Sequence, residues 1–189
     1  MLDLYILRHA KSSWKDESLE DFDRPLNKRG KLNAASMGEF LSGSVIQPDM
    51  VLCSTAKRCK QTLKLLLSSG FSPSQQKFLD RLYLARADEI MNEIQSSSNL
   101  ISSLMIIGHN PGLEDLVQKL IKDKTSSDYL SLLDKFPTCA FAQIQFNKDN
   151  GQLNKNKGQF NTGSWTKLAP NSGTLYCYLT PKHHLSQDN

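Results

Sequence analysis

Three short apolar runs limit what this chain can fold into: Leu4 to Leu7, Met50 to Cys53, and Leu104 to Ile107. None alternates strictly with polar residues, so none reads as a strand with one solvated face. Each gives way to a polar turn and then to a helical pattern. Such runs suit strands of a parallel sheet covered on both faces. The order strand, helix, strand, helix predicts an α/β fold, a three-layer α/β/α sandwich around a mostly parallel central sheet. The chain's 189 residues are enough for a sizeable core in one domain spanning 1–189.

The helices are readable from their ends and stripes. Residues 27–43, NKRGKLNAASMGEFLSG, open on the capping residue Asn27 and close at Gly43. Their apolar positions are Leu32, Ala35, Met37, Phe40 and Leu41. Residues 54–70 take Ser54 or Thr55 as cap and stop at Gly70. A third helix follows Pro111, with Leu113, Leu116, Val117, Leu120 and Ile121 on one stripe. Weaker patterns run from Asp88 to Gln95 and from Asp128 to Lys135.

After Pro137 the character changes. CAFAQIQF alternates and ends in NKDNG, which predicts an antiparallel strand and a turn. Residues 147–163, rich in Asn, Lys, Gln and Gly, read as a flexible loop. SWTKLA and TLYCYLTP read as closing strands, and residues 183–189 as a frayed tail. His183 and His184 fall in that tail and are expected to be solvated.

Charge and cysteine usage exclude several function classes. Net charge is +4, from 23 basic and 19 acidic residues scattered along the chain, which gives neither nucleic acid nor a membrane surface a basic patch to bind. No segment approaches the length of a membrane span. Met1-Leu2-Asp3 lacks the basic region and long apolar run of a signal peptide. Cys53, Cys59, Cys139 and Cys177 show no CxxC spacing, and reduced thiols in a cytoplasmic protein are expected. With mild charge and no long exposed amphipathic helix, a monomer is the expected state.

All three apolar runs end in candidate ligand groups. The first ends in Arg8-His9, the second in Ser54 with Arg58 four residues on, and the third in Gly108-His109-Asn110. Ligands of open α/β sheets sit beyond the carboxyl ends of the strands, so neighbouring parallel strands would gather two arginines and two histidines at one edge. Taken singly, each has an ordinary explanation: a solvated strand end, a helix-surface charge, a capped histidine. Their agreement points to a bound anion. Guanidinium forks match phosphate oxygens, and the start of the helix carrying Arg58 adds N–H groups and a positive dipole end. Neutral histidine is a nucleophile, and charged histidine donates protons. No pair among His9, His109 and the cysteines has metal-ligand spacing. Ser12 and Ser54 lack the G-x-S-x-G elbow of serine nucleophiles.

These residues resemble the histidine phosphatase superfamily, the RHG group that includes phosphoglycerate mutases and many phosphatases. The likeness is strongest to its short phosphohistidine phosphatase SixA-like branch. It is carried by LRHAKSSW, DFDRPLNKRGKLNA, PDMVLCSTAKRCKQTL, LYLA, IIGHNPGLEDL and FPTCAFAQIQF, in that order, to about Phe146, with a fitting close in LYCYLTPK. The resemblance implies a phosphoglycerate mutase-like fold and a phosphatase that forms a phosphohistidine on His9. Arg8, Arg58 and His109 would hold the phosphoryl oxygens, with Ser12 at a position that often contacts phosphate. It implies no metal and no cofactor.

Two positions depart from the group pattern: Ala10 replaces the third motif glycine, and Lys15 stands where mutases usually carry a substrate-contacting asparagine. The carboxyl best placed as a general acid is Asp80, whereas Asp88 and Glu89 read as acids at a helix start. An imidazole leaves more readily than an alkoxide, so weak provision of an acid favours phosphohistidine in a protein as substrate. The alternatives are a small phosphate compound hydrolysed with Asp80 as acid, and a non-catalytic phosphate-binding module.

Overall fold

The computed structural model describes residues 1–147 and 164–182. Among these, six strands form one sheet: β1 (Leu2–Arg8), β2 (Met50–Ser54), β3 (Gln75–Leu79), β4 (Ser103–Gly108), β5 (Phe141–Phe146) and β6 (Thr174–Leu179). Their spatial order is β3-β2-β4-β1-β5-β6. The first four are parallel, while β5 and β6 are antiparallel to their neighbours. The helices are α1 (Lys28–Gly43), α2 (Lys57–Ser68), α3 (Ala87–Gln95), α4 (Gly112–Leu120) and α5 (Ser127–Asp134). This is the expected α/β sandwich.

The continuous apolar runs are explained by a core on each face of the sheet. In β1, Leu2, Leu4 and Ile6 point into a cluster shared with α3, α4 and α5, while Tyr5 and Leu7 point into one shared with α1 and α2. The antiparallel pairing of CAFAQIQF is found in β5 against β1.

Several expectations are corrected. β3 has no apolar signal, because it is an edge strand whose residues are mostly exposed. In α1 the buried face holds Ala34, Met37 and Leu41, while Leu32 faces solvent. Helix α2 starts after Ala56 rather than Ser54 or Thr55, since Ser54 completes β2. SWTKLA is not a strand. Residues 165–167 form a single 3-10 turn capped by the Ser164 hydroxyl, which drops Trp165 into the core with its indole N–H on the Ile101 carbonyl at 3.0 Å. The expected loop at 147–163 (residue 147 apart) and the tail at 183–189, with His183 and His184, lie outside the described residues.

Close backbone approaches fix the loops at the carboxyl edge of the sheet. A Cβ on Gly112, at the start of α4, would lie 1.9 Å from the Ala85 carbonyl oxygen, and one on Gly30 would lie 2.1 Å from that of Lys11. Gly43, at the end of α1, would meet nothing within 4 Å. Gly112→Ala should therefore destabilise the protein by roughly 1–3 kcal/mol through overpacking. Gly43→Ala should be neutral or raise stability by up to about 1 kcal/mol through helix propensity. Chemical denaturation of the two variants checks both signs.

Candidate active site

Strand pairing sets the site. Arg8 of β1 lies level with Gly108 of β4, and the ladder continues one step as the His9 amide donates to the Gly108 carbonyl at 3.1 Å. The residues after the two strand ends, His9 and His109, are thereby neighbours, with ring centroids 5.0 Å apart. β2 ends beside them at Ser54, and the first turn of α2 supplies Arg58. Ala10 is tied to α2 through its amide, which donates to the Thr62 hydroxyl at 3.0 Å, and that hydroxyl donates to the Arg58 carbonyl. The carrier loop of His9 and the helix of Arg58 are thus linked.

Hydrogen bonds assign the tautomers. His9 Nδ1–H donates to the Ala10 carbonyl at 2.8 Å, leaving the Nε2 lone pair to accept from Arg58 Nε at 3.3 Å. Arg58 Nη2 donates to His109 Nδ1 at 3.2 Å, so His109 carries its proton on Nε2 and donates it to Ser54 Oγ at 2.9 Å. Burial first, and then the Arg58 and Arg8 charges, push the His9 imidazole down to about 4 against the opposing bond to Ala10. His109 is pushed to about 3 by burial, then by His9 and Arg58. Both rings are neutral at pH 7. The arginines keep His9 unprotonated as the sequence suggests, but burial is the larger cause.

The cationic groups have different anchors. Arg8 Nη1 donates to the Phe136 carbonyl at 2.7 Å, while its Nε is buried with no partner among the described residues. Glu114, which accepts from the Asn110 amide at 2.7 Å, lies close enough for its charge to favour the Arg8 cation. Arg58 is gripped by Asp21: Nη1 donates to its carbonyl at 2.5 Å and Nη2 to its carboxylate at 2.9 Å. The Tyr83 hydroxyl donates to the same carboxylate at 2.8 Å, and its ring stands edge-on to His109. Burial acts to raise the Asp21 carboxyl, but Tyr83 and Arg58 outweigh it and hold it below its ordinary value. Two fixed cations beside a buried neutral histidine, whose unprotonated Nε2 is held only by the Arg58 N–H, make a site for a tetrahedral oxyanion under nucleophilic attack.

The model of the histidine phosphatase superfamily (branch 1) matches residues 4–82, the stretch that contributes Arg8, His9 and Arg58. A structure assigned as phosphohistidine phosphatase SixA of Nakamurella multipartitia superposes with a TM-score of 0.76 at 28% identity, covering 95% of this chain and 96% of that one. Another assigned as SixA, from Agrobacterium tumefaciens, gives 0.72 at 26% identity over 95% and 98%. The chain is thus similar to the histidine phosphatase superfamily over residues 4–82 and to SixA structures along nearly its whole length, which supports a phosphatase. An uncharacterised chloroplast protein of Arabidopsis thaliana is 37% identical over 126 residues, 62% of this chain and 58% of that protein. An uncharacterised protein of Mycobacterium tuberculosis is 29% identical over 180 residues, 93% of this chain and all of that protein.

Of the six residues singled out in the sequence, the structure brings four together: Arg8, His9, Arg58 and His109. Ser12 is buried in the loop after His9, its backbone bridging Leu26 and its carbonyl accepting from the Asn27 side-chain amide at 3.3 Å. Asp80 follows β3 at the same edge, but its carboxylate is exposed and bonds to none of the four. Missing from the sequence reading were Asp21, Tyr83, Thr62 and the Phe136 carbonyl. Their roles are set by tertiary packing; all four lie within the stretches that carry the family resemblance, but nothing local to any of them marks a site role. Among the described residues no helix is long and apolar enough to cross a membrane.

The depressed imidazoles make stability depend on pH. An unfolded histidine gains its proton near pH 6.5, whereas folded His9 waits until about 4. Between those values the unfolded state binds the extra proton, so stability is full above pH 6.5 and falls with pH toward 4. His9 alone should cost about 2 kcal/mol of stability between pH 7 and pH 5, and His9→Asn should flatten that slope. Proton NMR of the ring Cε1–H signals should show neither His9 nor His109 titrating near 6.5.

Proposed function

We propose that this protein, acting as a single domain, removes phosphoryl groups from phosphohistidine carried on another protein, through a phosphohistidine intermediate on His9. The observation that carries the reading is the lone pair of His9 Nε2, held by the Nδ1–H bond to Ala10 and flanked by Arg58. The buried Arg8 Nε supports it too, because an unpaired buried donor costs about 1–3 kcal/mol and a phosphoryl oxygen would satisfy it.

The steps follow from these groups. His9 Nε2 attacks phosphorus in line as the bond to the carrier imidazole nitrogen breaks, and that nitrogen takes a proton from solvent. Arg8 and Arg58 balance charge on the equatorial oxygens, the main task in phosphoryl transfer. An arriving dianion raises the proton affinity of His109, which is protonated at Nδ1 and turns from acceptor into donor. Water then attacks the phosphorus on His9, releasing phosphate and restoring the neutral ring.

Leaving-group chemistry favours phosphohistidine over an ester. The carboxylate built into the site, Asp21, is committed as an anion to Arg58 and Tyr83, and the exposed Asp80 bonds to no site group. An alkoxide without an acid loses roughly a hundredfold to ten-thousandfold in rate, a penalty an imidazole largely escapes. The two SixA assignments above point to the same substrate class.

Brief incubation with a 32P-labelled phosphohistidine protein and acid-free quenching should trap label on wild type and leave His9→Ala unlabelled. Label persisting in His9→Ala would refute the nucleophile. Asp80→Asn should retain turnover of phosphoramidate within about twofold, and a loss on the general-acid scale would restore Asp80 as the acid.

A further inference from the structure

Beside the anion site, Trp14 and Arg24 form a pair that the reaction above does not use. The chain turns back after His9: the Ser13 amide donates to the Pro25 carbonyl at 2.7 Å and Ser12 bridges Leu26. That antiparallel clip brings Trp14 opposite Arg24. The guanidinium carbon of Arg24 lies 3.5 Å from the centroid of the Trp14 indole. Arg24 Nε and Nη1 are buried without a hydrogen-bond partner among the described residues. The indole itself is 64% exposed.

Two features of this pair call for a ligand. A guanidinium stacked on an indole keeps its charge but gains no hydrogen bonds from the ring, so its N–H groups remain unanswered. The exposed indole face is a flat, apolar and rigid surface of the kind that anchors polypeptide rather than a small anion. A free inorganic ion would use the cation and leave the indole without a role.

We propose that Trp14 and Arg24 form a recognition subsite for the carrier polypeptide, in which Arg24 pairs with an acidic side chain flanking the phosphohistidine and Trp14 covers the adjoining backbone. The proposal rests on the phosphohistidine reading and names the sequence context which that reading leaves open. Binding moves Arg24 from its stacked position toward the carboxylate, so that its unanswered N–H groups acquire an acceptor. Trp14 and Arg24 are then selectivity residues, distinct from the four groups at the phosphorus.

The test measures binding, so that it does not depend on turnover. The probes are peptides carrying a non-hydrolysable phosphohistidine analogue, flanked by Asp or Glu in one and by Asn or Gln in the other, with inorganic phosphate as a third ligand. Wild type should prefer the acidic peptide. Arg24→Ala should weaken that peptide about tenfold and leave the neutral peptide and phosphate unchanged, and Arg24→Lys should recover part of the loss. Trp14→Ala should weaken both peptides and spare phosphate. Equal weakening of all three ligands by Arg24→Ala, or none at all, would overturn the subsite. Unchanged phosphate binding shows that the variants are folded. Phosphoramidate turnover by wild type reports separately on the phosphatase reading.

Discussion

The parallel pairing of β1 with β4 fixes the distance between the two histidines, and little else in the site could be arranged without it. Ladder hydrogen bonds run to the last residue of each strand, so the backbone that presents His9 and His109 is as stiff as the sheet interior. A slip of one residue would send one imidazole to the opposite face of the sheet, into a core of leucine and isoleucine. The apolar pattern on both faces forbids that slip, because Leu4 and Ile6 belong to one core and Tyr5 and Leu7 to the other. Packing energy far from the edge is thus converted into precision at the edge.

Charge is managed by separating what must stay ionised from what must not. The arginines meet carbonyls and one carboxylate at their outer nitrogens, which answers those N–H groups in a buried setting. The histidines meet a carbonyl, a hydroxyl and cationic N–H groups, and burial keeps both unprotonated. Cys59, whose sulfur lies 3.5 Å from His109 Nε2, is pushed to about 12 by burial and stays a thiol. A neutral nucleophile beside fixed positive charge is the arrangement that attack on a phosphoryl anion calls for.

Much of this was legible in the residues themselves. The three central strands announced themselves because burial on both faces demands unbroken apolar runs, and their ends named Arg8, His9, Ser54 and His109. Asn27 could be read as a cap because a cap acts locally, and its side chain does accept from Gly30. What escaped were features decided by the environment. β3 carries Gln, Lys and an exposed Phe78, since an edge strand needs little apolar surface. The hydroxyl oxygen of Ser54 accepts from the Ala56 amide at the start of α2, as a local reading allows, but also from His109, a partner 55 positions away. Asp21 becomes a site residue through bonds to Arg58, 37 positions away, and Tyr83 through a bond to Asp21 that spans 62 positions.

The grip of Asp21 on Arg58 has a bearing on how the enzyme lets go. Any phosphate that claims the guanidinium must compete with a carboxylate already tethered a few ångströms away, and the tether gives that internal rival a high effective concentration. In the proposed hydrolysis the released phosphate, no longer attached to a carrier, has the fewest contacts with which to resist. The pocket therefore carries its own eluent: one acidic side chain that discourages product inhibition and readies the cation for its next guest.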